Sequence, residues 1–154
     1  MDRERILAKI DELNQYIAEL EAIMPQNFEE YVESIEERRA CERLLQIAIE
    51  CILDICALLV KELKLGLPSR EEDLFTKILK KGIITEEMER KLRGMKGFRN
   101  ILVHRYAEVD DRLVFKNLSK INDFKEFREQ VLEFLRKWEV KNSNLNRGKS
   151  RIRT

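Results

Sequence analysis

Within Gly97-Phe98-Arg99-Asn100-Ile101-Leu102-Val103-His104-Arg105-Tyr106, an arginine, an amide and a phenol surround the only histidine of the chain. Each residue type has a distinct chemical use. A guanidinium binds phosphate through two parallel hydrogen bonds and stabilises charge growing on it. An imidazole titrates near neutrality and can take or give a proton. An amide such as Asn100 can orient either the imidazole or a phosphate. RNA carries its own nucleophile, the 2′-hydroxyl, so its cleavage without a metal needs only a base, an acid and a cation. One histidine cannot be both base and acid. Two chains related by a twofold axis can supply both, if their motif helices face each other. DNA lacks the 2′-hydroxyl, so this chemistry predicts RNA specificity.

These residues must be held by a helix. At about 100° per residue, Leu92, Met95, Leu102 and Val103 fall on one side, and Arg99 falls inside their apolar stripe. Asn100 and His104 are four residues apart at the border of that stripe. Tyr106 lies seven residues beyond Arg99, on nearly the same line if the helix reaches so far. A guanidinium on an apolar face is costly unless it is paired or lies in a functional cleft. Two readings follow. Arg99 is structural, paired to Glu50 or Asp54, with His104 a hydrogen-bonded boundary residue. Alternatively Arg99, Asn100 and His104 form a catalytic group, with Glu50 and Asp54 as supporting polar residues.

Other catalytic signatures are absent. The chain has no GxxxxGK[ST] loop, no GxSxG elbow and no HExxH. With one histidine and no CxxC pair, neither a metal nor a cofactor is expected. Gly94 and Gly97 read as places where a neighbouring helix approaches closely.

Around the motif the pattern is helical throughout. Ile6, Leu7, Ile10, Leu13, Ile17 and Leu20 predict a first helix over about residues 2–22. Pro25 and Asn27 end it, and Asn27 with Glu30 reads as a capping box. A long helix is expected from about Phe28 to Lys64, stopped by Gly66 and Pro68. From Leu44 to Val60 it is apolar on most of its circumference and should be central. A narrow polar line of Arg39, Arg43, Gln46, Glu50 and Asp54 remains, either solvated with ion pairs such as Arg43 to Glu50 or facing a polar site. Ser69 with Glu72 reads as a second capping box, opening a short helix that ends at Gly82. Thr85 opens the helix carrying the motif. Residues 107–118 read as irregular, with a turn at Asp110–Asp111. A last helix runs from Ser119 or Asn122 to about Val140, with Phe124, Phe127, Val131, Leu135 and Trp138 inward. The fold expected is all-α: an antiparallel bundle of about five helices around one long central helix.

Composition sets the remaining bounds. The 154 residues suit one domain, and five Gly and two Pro leave room for long helices. The division expected is a helical domain over 1–140 and a tail over 141–154 with five Lys/Arg and no acid, which reads as disordered. Cys41, Cys51 and Cys56 are odd in number and sit in an apolar helical stretch, where free thiols behave as small hydrophobes. No signal peptide or membrane span is visible, so a cytoplasmic location is expected. Net charge is +1, but it is unevenly spread. Residues 1–37 hold eleven acids and three bases, whereas residues 76–106 hold nine bases and three acids. The basic window surrounds His104 and could draw in a phosphate backbone.

The string LRGMxGFRNxLVHxY, spanning Leu92 to Tyr106 and followed by Val109-Asp110, closely resembles the HepT-like toxins of the HEPN superfamily. The apolar helix around Cys51 to Ile55, the Gly66 to Ser69 turn and Lys81-Gly82-Ile83-Ile84 resemble them too, so the likeness covers roughly residues 1–140. The resemblance implies a homodimeric helical bundle with a metal-independent RNA-cleaving site at the dimer cleft, formed by Arg99, Asn100 and His104. It also implies a nucleotidyltransferase antitoxin as partner, silencing the toxin by adenylylating Tyr106. An AMP on Tyr106 would set a phosphate beside Arg99 and fill the RNA site. Two other functions stay open at this stage. One is a noncatalytic subunit that binds nucleotide or RNA through Arg99 and docks a nucleotidyltransferase. The other is a purely structural dimerisation bundle.

Overall fold

The computed structural model describes residues 1–104 and 109–152, with the side chains of 146, 147 and 149–152 set aside. Seven helices and no strand occur among the described residues: α1 (Arg3–Ile23), α2 (Phe28–Glu33), α3 (Ile35–Glu62), α4 (Glu71–Lys80), α5 (Glu86–His104), α6 (Asp111–Leu118) and α7 (Ile121–Ile152). The bundle is all-α, as the sequence pattern requires. Helix α3 is its axis and packs against α1, α2, α4, α5 and α6, while α7 closes over α1 and α5. Cys41, Leu45, Ala48, Ile52, Ile55, Cys56 and Leu59 of α3 are wholly buried. Their recurrence at three and four residues is the broad apolar face that makes this helix central.

The helix expected over 28–64 is broken at Ser34, whose backbone is extended. The Ser34 hydroxyl accepts from the Glu37 amide at 3.2 Å and so caps α3. The break lets α2 turn and bury Tyr31, with Phe28 and Tyr31 both against Phe115 of α6. Residues 111–118, read as irregular, are therefore helical. Asp110 caps them by accepting from the Arg112 amide at 2.9 Å, and Asp111 pairs with Arg38 at 3.1 Å. The partners that make this short helix stable lie some eighty residues away in the chain, beyond the reach of local patterning.

Both sequence-based capping boxes shift in register. Asn27 accepts from the Glu30 amide at 2.8 Å, but Glu30 reaches back to Gln26 rather than to Asn27. Ahead of α4 it is Asp73, not Glu72, that accepts from the Ser69 and Arg70 amides, at 2.9 and 3.0 Å. Glu72 is thereby freed for a tertiary contact. The end of α4 is a Schellman motif: Gly82 has φ +83°, its amide donates to Leu79, and the Ile83 amide donates to Ile78. Ile83 and Ile78 are both buried, which completes the motif with an apolar contact. Thr85 opens α5 by accepting from the Met88 amide at 3.1 Å. At the other end of the chain, α7 runs to Ile152, past Val140 and through the basic segment expected to be disordered. Its inward residues Phe124, Phe127, Val131 and Leu135 are buried, whereas Trp138 is only partly covered.

Candidate active site

The site is built on the last two turns of α5 and on the first turn of α4. Helix α5 seats Met88, Leu92, Met95 and Phe98 in the core. That fixes its rotation, and with it the direction of every polar residue on it. Arg99 lies within the same apolar stripe, and its side chain is only 16% exposed. Its charge is met from α4: Nη2 donates to Glu71 Oε1 at 2.6 Å. Nε donates to Asn100 Oδ1 at 2.9 Å, so the guanidinium is held by two acceptors on different helices.

The pairing is part of a longer strap. Arg93, Lys96 and Arg99, spaced by three residues along α5, all turn toward α4. Arg93 Nη2 donates to Thr76 Oγ1 at 3.4 Å and Lys96 pairs with Glu72. The ammonium of Lys96 holds the Glu72 carboxyl below its ordinary value, chiefly through this hydrogen bond. Glu71, Glu72 and Asp73 also suit the positive end of the α4 dipole. One acidic turn thus caps its own helix and orders the basic row of its neighbour.

The structure brings Arg99 and Asn100 into direct contact and puts His104 one turn beyond Asn100, exposed, as the last residue of α5. Arg99 leaves one face of its guanidinium fork committed to Glu71, and an incoming phosphate must share or displace that carboxylate. Tyr106 lies outside the described residues. Glu50 and Asp54 are not the partners of Arg99. Glu50 accepts from Gln46 Nε2 at 3.1 Å, and Asp54 is exposed and pairs with Lys9 of α1 at 3.4 Å. Along the polar line of α3, Arg39 pairs with Glu42 and Glu50 bonds Gln46 instead of Arg43. Sequence reasoning missed Glu71. Its signal was present in the run Glu71-Glu72-Asp73, which is two acids more than capping needs.

Among the described residues, Gly94 and Gly97 do not meet a neighbouring helix. A methyl group on either would find no atom within 4 Å, and both positions are exposed. Cys41, Cys51 and Cys56 are free and buried, and burial lifts the first two thiols to about 11 and about 12. Among the described residues no helix is long and apolar enough to cross a membrane.

Comparison with known proteins gives the family and the fold. A family profile described as ribonuclease HepT-like matches residues 13–131. The tRNA nuclease HepT of Aphanizomenon flos-aquae is 28% identical over 114 residues, which is 74% of this chain and 78% of that protein. A relative from Archaeoglobus fulgidus is 38% identical over 124 residues, covering 79% of this chain and 85% of its own. Among solved structures, the tri-AMPylated Shewanella oneidensis HEPN toxin in complex with MNT antitoxin superposes with a TM-score of 0.77 at 24% identity, over 86% of this chain and 99% of that one. At that identity the likeness concerns the fold. The family match spans most of the helical domain, including α5 and its Arg99, Asn100 and His104, and it decides the matter: the chain belongs to the ribonuclease HepT-like family.

Proposed function

We propose that this protein is a metal-independent endoribonuclease, the toxin of a toxin–antitoxin pair, acting as a homodimer with Arg99, Asn100 and His104 at the dimer cleft. The observation that carries the reading is an arginine largely covered within an apolar stripe, held by Glu71 and Asn100, five residues before an exposed and solitary histidine. His104 of one protomer takes the proton of the 2′-hydroxyl. The freed oxygen attacks the adjacent phosphorus and the bond to the 5′-oxygen breaks. The partner's His104 protonates that leaving oxygen. The products are a 2′,3′-cyclic phosphate and a 5′-hydroxyl. Arg99 stabilises the charge that builds on the phosphate oxygens, the task for which a fixed guanidinium is suited.

The nuclease names of the relatives and the antitoxin complex among the structural neighbours support this reading. They also support a nucleotidyltransferase partner that silences the protein by adenylylating Tyr106. The test is incubation of the purified protein, shown by mass to be free of AMP, with RNA in excess EDTA. Cleavage that leaves 2′,3′-cyclic ends and is absent from the His104→Ala variant is expected. Intact RNA, or cleavage that EDTA stops, overturns the reading.

A further inference from the structure

A groove of about 540 Å³ runs between α5, α6 and the start of α7, beside the motif. Its floor is apolar: Met95, Phe98, Ile101, Leu113 and Phe124. Its rim carries Arg90, Lys91, Lys116 and Lys120 against the carboxylates of Glu87 and Asp123. These charges are not spread evenly. Lys91 takes Asp123 at 3.2 Å, Glu126 at 2.8 Å and Glu87 at 3.5 Å. Hydrogen bonds to Glu126 and Asp123 hold its ammonium well above the usual lysine range. The acids of the groove therefore gather around one lysine. Arg90, Lys116 and Lys120 have no carboxylate within ion-pair distance among the described residues. The edge of the groove is formed by Gly94 and Gly97, where the helix backbone is bare.

The groove runs along α5 beside the candidate active site. Gly97 and Ile101 line it, and each lies one helical turn before Asn100 and His104 respectively. Residues three apart on a helix are surface neighbours. From Arg90 to His104 the helix advances about 21 Å, enough to accompany several nucleotides.

We infer that this groove binds the single-stranded RNA flanking the scissile phosphate, with Arg90, Lys116 and Lys120 on the backbone and the apolar floor against the bases. The inference rests on the ribonuclease reading for the identity of the strand. Charge complementarity selects a polyanion. Three cations without an ion-paired carboxylate, over an apolar floor, suit phosphates and base edges without reading sequence. A second copy of the chain is disfavoured as occupant, since a twofold contact here would set the three cations against their own duplicates.

The experiment compares wild-type protein with the Arg90→Ala/Lys116→Ala/Lys120→Ala variant. Affinity is read by fluorescence anisotropy on a labelled, uncleavable 2′-O-methyl RNA 20-mer across a salt series. Turnover is read on a dinucleotide too short to reach the groove. The variant should bind the 20-mer at least about tenfold more weakly. Its log–log salt slope should fall by about 2, at about 0.7 per lost phosphate contact. Dinucleotide cleavage and the dimer's elution volume should not change. Unaltered affinity and slope overturn the inference, as does a variant that changes its oligomeric state, which would mark the groove as an interface between copies. Because binding is read on uncleavable RNA, failure of the ribonuclease reading shows separately, as a wild type that binds the 20-mer but does not cleave the dinucleotide.

Discussion

Arg99 of α5 and Glu71 of α4, twenty-eight residues apart in the chain, meet at 2.6 Å on a side of the bundle where the arginine is nearly covered and the glutamate partly open. The pair decides how Arg99 can lie within an apolar stripe without an uncompensated charge. Because Glu71 is 40% exposed, solvent screens the interaction. A double-mutant cycle of Glu71→Ala and Arg99→Ala in urea unfolding should give a coupling of about 1 kcal/mol. Coupling indistinguishable from zero would mean that the two side chains do not hold each other in solution. Arg99→Ala should also abolish RNA cleavage while the protein stays folded.

His104 is exposed and is the last described residue of α5. Its removal should therefore cost chemistry and little stability. His104→Ala is expected to lower RNA cleavage by at least about 100-fold, the usual scale for a lost acid–base group. The melting temperature should stay within about 2 °C of wild type. A variant that still cleaves at the wild-type rate would remove His104 from the mechanism.

The buried thiols predict both inertness and a sensitivity to alkali. No cysteine should react with an uncharged alkylating reagent at pH 8 in the native state, and all three should react in denaturant. Burial raises Cys41 from 9.0 to about 11. Since the folded value lies above the unfolded one, the folded state holds the proton longer. The stabilisation is complete below about pH 9 and is lost as pH rises toward 11. It amounts to something on the order of 2–3 kcal/mol for Cys41. Cys41→Ala should flatten the fall in stability between pH 9 and 11. An unchanged profile would refute the assignment.

Glycines at Gly82 and Gly94 should respond in opposite directions. Gly82 has φ +83° in the turn that ends α4, and an alanine there is strained even though the space is open. Gly82→Ala should cost about 1 kcal/mol. Gly94 is in mid-helix with nothing within 4 Å, so Gly94→Ala should stabilise the protein by about 0.5–1 kcal/mol through helix propensity. Loss of stability at Gly94 instead would show that another surface packs there.

Ser34 interrupts a stretch that otherwise reads as one helix. Its hydroxyl is the cap of α3. Ser34→Ala should cost about 1 kcal/mol in thermal unfolding, and Ser34→Gly only a few tenths. Equal losses in both variants would indicate that the backbone break, and not the cap, stabilises this corner.

The sequence by itself determined the all-α bundle, the central place of the helix around Leu45 to Leu59, the buried free thiols and the segment that carries the motif. These are properties of periodicity and residue type, and 3.6-residue spacing shows which face of a helix goes inward before any partner is known. It also showed that Arg99 would need compensation. What it did not contain was the compensating group. Glu50 and Asp54 were plausible by proximity in type, but α3 uses them for Gln46 and Lys9, while α4 supplies Glu71. The break at Ser34, the helix at Asp111–Leu118 and the gathering of the groove's acids around Lys91 follow the same logic. Each depends on which surfaces meet after the chain has folded back on itself. An ion pair or a short helix is worth only about a kcal/mol locally, so its outcome is settled by tertiary neighbours rather than by its own residues.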